Sequence, residues 1–153
     1  MNKKFYIVLL FSLSCSIQGC GGDANATSPS PEIEYEILHE SSHNEYNDHT
    51  SKAAVVIRSQ VNYESALLRR TSDLTKSVNF NEESILLIDM GGRATGGPNI
   101  NLINLEDNGD HILATIELDV KNGALQWVTN PYKFIKIKSR KEIIIVEKLK
   151  ASN

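Results

Sequence analysis

The sequence predicts a mainly β, α+β domain: an antiparallel sheet, sandwich or barrel-like body of about seven to eight strands, with one α-helix near residues 60–70. Three observations predict it. Short stretches alternate apolar and polar residues with a period of two, as in Glu32 to Ile37 and Ile112 to Val120. Turn-forming clusters rich in Asn, Asp and Gly separate these stretches. A helix-capping signal stands at Ser59, ahead of a stretch with apolar residues for one buried face.

Taken in order, Glu32 to Ile37 puts Ile33, Tyr35 and Ile37 on one face of a strand and its glutamates on the other. From Ser41 to Ser51 the chain is dense in Ser, Asn and Asp, with Tyr46 its one large apolar residue, which favours turn and loop. Ala53 to Arg58 has the apolar, β-branched content of a buried strand. Ser59 then caps a helix through about Arg70, with Val61, Ala66, Leu67 and Leu68 available for the inner face. Ser84 to Met90 reads as a central strand ending at glycines. Ile100 to Leu105 turns Ile100, Leu102 and either Ile103 or Leu105 inward, and Asp107 to Asp110 makes a turn.

Ile112 to Val120 sets Ile112, Ala114, Ile116, Leu118 and Val120 on one face, and Lys121 to Gly123 turns the chain again. Ala124 to Thr129, Tyr132 to Lys138 and Glu142 to Glu147 complete the set, with a last turn at Ser139 to Lys141. Opposite charges attract across neighbouring strands. Glu32, Glu34 and Glu36 on the first strand therefore predict that it lies near the late strand carrying Lys136 and Lys138.

The N-terminus carries an address. Lys3 and Lys4 form a basic head, Phe5 to Leu13 an uncharged apolar run too short to span a bilayer, and small residues close the segment before Cys20. Ile17, Gln18, Gly19 and Cys20 resemble the lipobox of bacterial lipoproteins, which implies a signal peptide over 1–19 and acylation of Cys20. Acyl chains contribute about 0.8 kcal/mol per buried methylene, so several would hold the protein on a membrane. Gly21 rather than Asp follows the cysteine, which favours the outer membrane. Residues 20–31, rich in Gly, Ser and Pro, form a flexible tether, and 32–150 are one domain. With Cys15 removed and Cys20 lipidated, no thiol remains for a disulfide, a nucleophile or a zinc site. Losing Lys3 and Lys4 takes the formal charge from -3 to -5, which disfavours nucleic acid as a partner.

His39, Glu40 and His43 match H-E-x-x-H, the zinc peptidase signature. That chemistry needs a helix, so that two imidazoles four residues apart face one metal, and an apolar far side to bury it. The strand before His39 and the polar stretch after it predict a strand end and solvated turn instead. His39, His43, His49 and Asp48 keep a weak loop site as the metal alternative. No Gly-x-Ser-x-Gly occurs, no cofactor motif is present, and the expected activity is non-catalytic.

Four glycines fall in the seven residues from Gly91 to Gly97, directly after the apolar strand. Such density marks backbone turns or close approach, on a connection or a recognition loop. Gly92, Arg93, Thr95, Gly96 and Gly97 resemble the signature loop of the PrcB C-terminal domain family, named for a lipoprotein subunit of a spirochaetal surface protease complex. Val55 to Ser59 with Tyr63 to Leu68, Phe80 with Ile85 to Ile88, and Val128 to Ile137 around Asn130, Pro131 and Tyr132 are similar to the family's other conserved stretches, in order. Pro98 stands where the family has an aromatic, and removes a backbone donor.

The resemblance implies a β domain acting as a non-catalytic accessory module that binds a protein partner, with a secreted or surface protease as the first candidate. The loop 92–97 and the turn at Asn130, Pro131 and Tyr132 are the implied contact residues. Thr95, Gly96 and Gly97 also resemble, more distantly, the inhibitory loop of chagasin-type cysteine protease inhibitors, and inhibition is the alternative function.

Overall fold

The computed structural model of the protein describes residues 33–46, 51–95, 99–119 and 124–150. Within them lie nine strands and one helix: β1 Tyr35–Ser41, β2 Ala53–Ile57, α1 Gln60–Leu68, β3 Ser84–Asp89, β4 Arg93–Thr95, β5 Asn99–Asp107, β6 His111–Asp119, β7 Ala124–Thr129, β8 Tyr132–Ile137 and β9 Glu142–Leu149. The predicted class holds: a mainly β domain with a single helix. Its sheets have free edges and do not close into a barrel.

An antiparallel sheet of order β1-β8-β3-β2 is the structural centre. β3 is buried along its whole length, and its run of Ile85, Leu86, Leu87 and Ile88 has no polar face because both faces are covered. Ile85 and Leu87 pack with Phe134, Tyr63 and Leu67 under α1. Leu86 and Ile88 pack with Ile135, Ile137 and the inner face of a second sheet. That sheet has order β5-β6-β9 and supplies Ile100, Ile112, Ala114, Ile116, Leu118 and Ile143. A two-stranded sheet, β4-β7, completes the set.

The charge expectation for β1 is borne out at Glu34 and Glu36, while Glu32 lies outside the described residues. β1 pairs antiparallel with β8, and Lys136 Nζ lies 2.7 Å from Glu36 Oε2, Lys138 Nζ 3.0 Å from Glu34 Oε2, and Lys133 Nζ 2.9 Å from Glu40 Oε2. The hydrogen bond from Lys136 is the main reason the Glu36 carboxyl titrates below its ordinary range. The strand ends differently from its alternation. A bulge sets Leu38 and His39 together opposite Phe134, so both turn toward the helix side and are buried. Tyr35 and Ile37, expected in the core, stay 50% and 40% exposed because β1 is an edge strand.

Other expectations are corrected. β2 is an edge strand rather than a buried one, and Val55 is 44% exposed. The inner face of α1 is Tyr63, Ala66 and Leu67; Val61 and Leu68 point to solvent, since at about 100° per residue both fall roughly 150° from the centre of that face. A second bulge, between Leu102 and Asn104, decides the β5 ambiguity: Leu102 and Leu105 pack on the core and Ile103 faces out. The β6-β9 pair is parallel, against the antiparallel expectation, because β8 crosses to the central sheet before the chain returns as β9. The described turns hold: Gly109 takes φ 93 between β5 and β6, a left-handed conformation suited to glycine, and 139–141 connect β8 to β9. Val120, residues 121–123, and the expected signal segment, Cys20 and tether lie outside the described residues.

Candidate functional site

His39 and Glu40 lie on a strand, not a helix. The two side chains point to opposite faces of β1, and His43 follows at a bend after its end. Glu40 pairs with Lys133, and His43 Nδ1 is 2.8 Å from Ser42 Oγ at the surface. His49 lies outside the described residues. Among the described residues no three His, Cys, Asp or Glu side chains converge as a metal-binding group.

His39 itself corrects the solvated-turn expectation. It is 7% exposed, its Nε2 is 2.9 Å from the Tyr63 hydroxyl, and its ring meets Phe134 edge-on at 6.0 Å between centroids. Burial holds the imidazole below its usual titration range, partly offset by Asp73, whose Oδ2 is 3.5 Å from Nδ1. The Tyr63 hydroxyl accepts from Lys76 N at 3.4 Å, so donating its own proton to Nε2 completes a consistent chain. His39 thus anchors the irregular chain after α1 to the central sheet.

The glycine turn after β3 is built on a buried ion pair. Arg70, just past the helix, donates Nε to Asp89 Oδ2 at 2.7 Å and Nη1 to Ala66 O at 2.7 Å. The other carboxylate oxygen, Asp89 Oδ1, accepts from Gly91 N at 2.7 Å, and Gly91 takes φ 65. A single aspartate at the end of an apolar strand therefore fixes both the helix end and the start of the glycine-rich segment. Met90 N donates to Pro131 O at 2.9 Å, Arg93 pairs with Thr129, and Arg93 Nε donates to Met90 O at 3.1 Å. The two candidate segments, about forty residues apart in the chain, are thereby brought side by side.

Their individual residues are placed unequally. Gly92 is exposed and Arg93 half-buried, with its guanidinium engaged locally. Thr95 ends β4; Gly96 and Gly97 lie outside the described residues. Asn130, Pro131 and Tyr132, the other implied contact residues, are buried. Tyr132 stacks edge-on with Phe134 at 5.9 Å, and burial raises the titration point of its hydroxyl. The Asn130 Oδ1 is buried with no hydrogen-bond donor among the described residues.

Pro131 and Tyr132 nonetheless form the floor of an open cleft of about 340 Å³, near the lower end of the size range of small-ligand sites. Its walls come from Glu40, Ser41 and Ser42 at the end of β1, and from Asn99, Ile100 and Asn101 where β5 leaves the glycine-rich segment. Lys133, paired with Glu40, closes one side. Hydroxyls, amides and one ion pair around an apolar floor suit a polar, extended ligand such as a peptide segment.

Sequence reasoning missed three parts of this site. The polar Ser41–Ser42 end of β1 passes as turn chemistry, and Asn99–Asn101 as strand filler. The Arg70–Asp89 pair carries a signal that could have been used: Asp89 is the one charged residue in the apolar run Ile85 to Met90, and a buried charge needs a partner.

No family model, no curated protein and no solved structure matches this chain.

Proposed function

We propose that the protein is a membrane-anchored bacterial lipoprotein whose β domain acts as a non-catalytic accessory module, docking a protein partner at the cleft between the ends of β1, β5 and β8. A subunit or stabiliser role in an extracytoplasmic protease complex is the form suggested by the PrcB-like motifs. The observation that carries this reading is the adjacency of the two motif-bearing segments: the hydrogen bond from Met90 to Pro131 and the pairing of Arg93 with Thr129 set them side by side, and Pro131 and Tyr132 of the second line the cleft. Its walls are hydroxyls, amides and a satisfied ion pair, which suit recognition of a polypeptide better than bond breaking. The lipobox-like Ile17 to Cys20 supports the anchor.

Purification of the full-length protein from detergent-solubilised membranes of the native organism tests both parts. Wild type should co-purify with a stoichiometric partner containing a peptidase, and Asn101→Arg, which crowds the cleft, should lose it. Cys20→Ser should leave the membrane fraction. Recovery of the lipoprotein alone, or a partner indifferent to Asn101→Arg, contradicts the docking role. Inhibition of the partner peptidase by the isolated domain would move the assignment to an inhibitor.

A further inference from the structure

The two larger sheets have four edges, and three of them are defended. β1 and β5 carry bulges and acidic residues at Glu36, Glu40, Glu106 and Asp107, while β9 carries Glu142, Glu147 and Lys148. Charges and bulges of this kind block pairing with another chain. β2 has neither. Ala53 to Ile57 contains no charge and no proline, and its five pairs with β3 run in unbroken register.

Beside this edge lies a groove of about 440 Å³ whose far wall is α1. The helix turns Asn62, Ser65 and Ala66 toward it, short side chains that leave the space open, Arg69 follows just past its end, and Val55 and Leu87 form its apolar side. A bare strand edge running beside a helix is the geometry in which an extended peptide adds as one more strand, with backbone hydrogen bonds giving affinity and the helix wall giving selectivity. Charge states what the peptide carries. Arg70 spends its guanidinium on Asp89 and Ala66, whereas the exposed Arg69 has no ion-pair partner among the described residues.

We infer that the groove between β2 and α1 is a strand-addition site for an extended peptide of another protein, bearing small aliphatic side chains toward the exposed Val55 and a carboxylate for Arg69. β2 and β1 are opposite edges of the central sheet, so this surface is separate from the cleft proposed above and does not depend on that assignment.

The probe is an eight-residue synthetic peptide of alternating valine and threonine ending in aspartate, titrated into the isotope-labelled protein and followed by amide NMR shifts. Shifts should concentrate in 53–57 and along 62–69. Arg69→Glu should weaken binding about three- to five-fold, and a matching peptide ending in lysine should reverse that preference. Val55→Lys, at an exposed position, should abolish binding while leaving the circular dichroism spectrum unchanged. Absence of shifts at millimolar peptide, shifts centred elsewhere, or equal binding of both peptides by wild type and Arg69→Glu overturns the assignment. Peptide-independent dimerisation through residues 53–57 also overturns it, by giving the edge to a second copy of this chain. Asn101→Arg should leave peptide binding intact, which separates this test from that of the cleft.

Discussion

Replacing Arg70 by methionine tests how the candidate site is held in place. The guanidinium is 6% exposed as a residue, faces an Asp89 that is 1% exposed, and also donates to Ala66 O at the helix end. Its carbon sits 6.0 Å from the Phe134 ring centroid. Removing one member of such a pair leaves a buried charge beside an apolar surface and typically costs about 3–5 kcal/mol. Methionine restores most of the lost packing, so the lower half of that range, about 3–4 kcal/mol, is expected.

Asp89→Asn should cost a similar amount, while keeping an oxygen for Gly91 N. Because the two charges face each other, the double variant should lose less than the two single losses added together, by at least about 1 kcal/mol. Urea denaturation followed by far-ultraviolet circular dichroism measures all three. A domain of this size has about 5–15 kcal/mol in total, so single losses of this size move the midpoint visibly. Losses under about 1 kcal/mol, or strict additivity, would refute the claim that this pair fixes the turn at Gly91.

Burial lowers the titration point of His39, so between that point and the ordinary value of 6.5 the unfolded chain binds a proton that the folded protein does not. Stability should fall as pH drops below about 6.5 and level off below the folded value; His39→Gln should flatten that slope in urea melts recorded across the range. Tyr63→Phe removes the hydroxyl joining His39 and Lys76 N and should cost about 1–3 kcal/mol, with faster hydrogen exchange over residues 73–76. Phe134→Ala empties the ring around which His39, Tyr63 and Tyr132 pack, and should cost about 3–5 kcal/mol by the same denaturation assay.

Much of the fold was legible because its physical causes are local. Strand alternation located β1 and β6, the apolar run located β3, and Ser59, whose side chain accepts from Asn62 N, located the start of α1. The β1-β8 pairing was readable because glutamates and lysines face each other across it. What was not legible depends on single-residue shifts and distant packing. The bulge at Leu38 turns His39 onto the helix side of β1, and so takes it from an expected surface turn into the core. The edge position of β2 follows from sheet order, which its apolar composition does not encode. Of the site, the glycine turn and the Asn130 to Tyr132 segment were recognisable as motifs. Their adjacency through Met90 and Pro131, and the burial that makes Tyr132 a floor rather than a finger, come from tertiary packing.

The central claim is that a protein partner docks at the cleft beside Ser42 and Asn101. Site-specific photo-crosslinking in the native membrane tests it most directly, with the reactive group placed either at Ser42 on the cleft wall or at Ile144, 41% exposed on the second sheet. One discrete adduct containing a peptidase is expected from Ser42 and none from Ile144. No adduct from Ser42, or the same adducts from both positions, would contradict it.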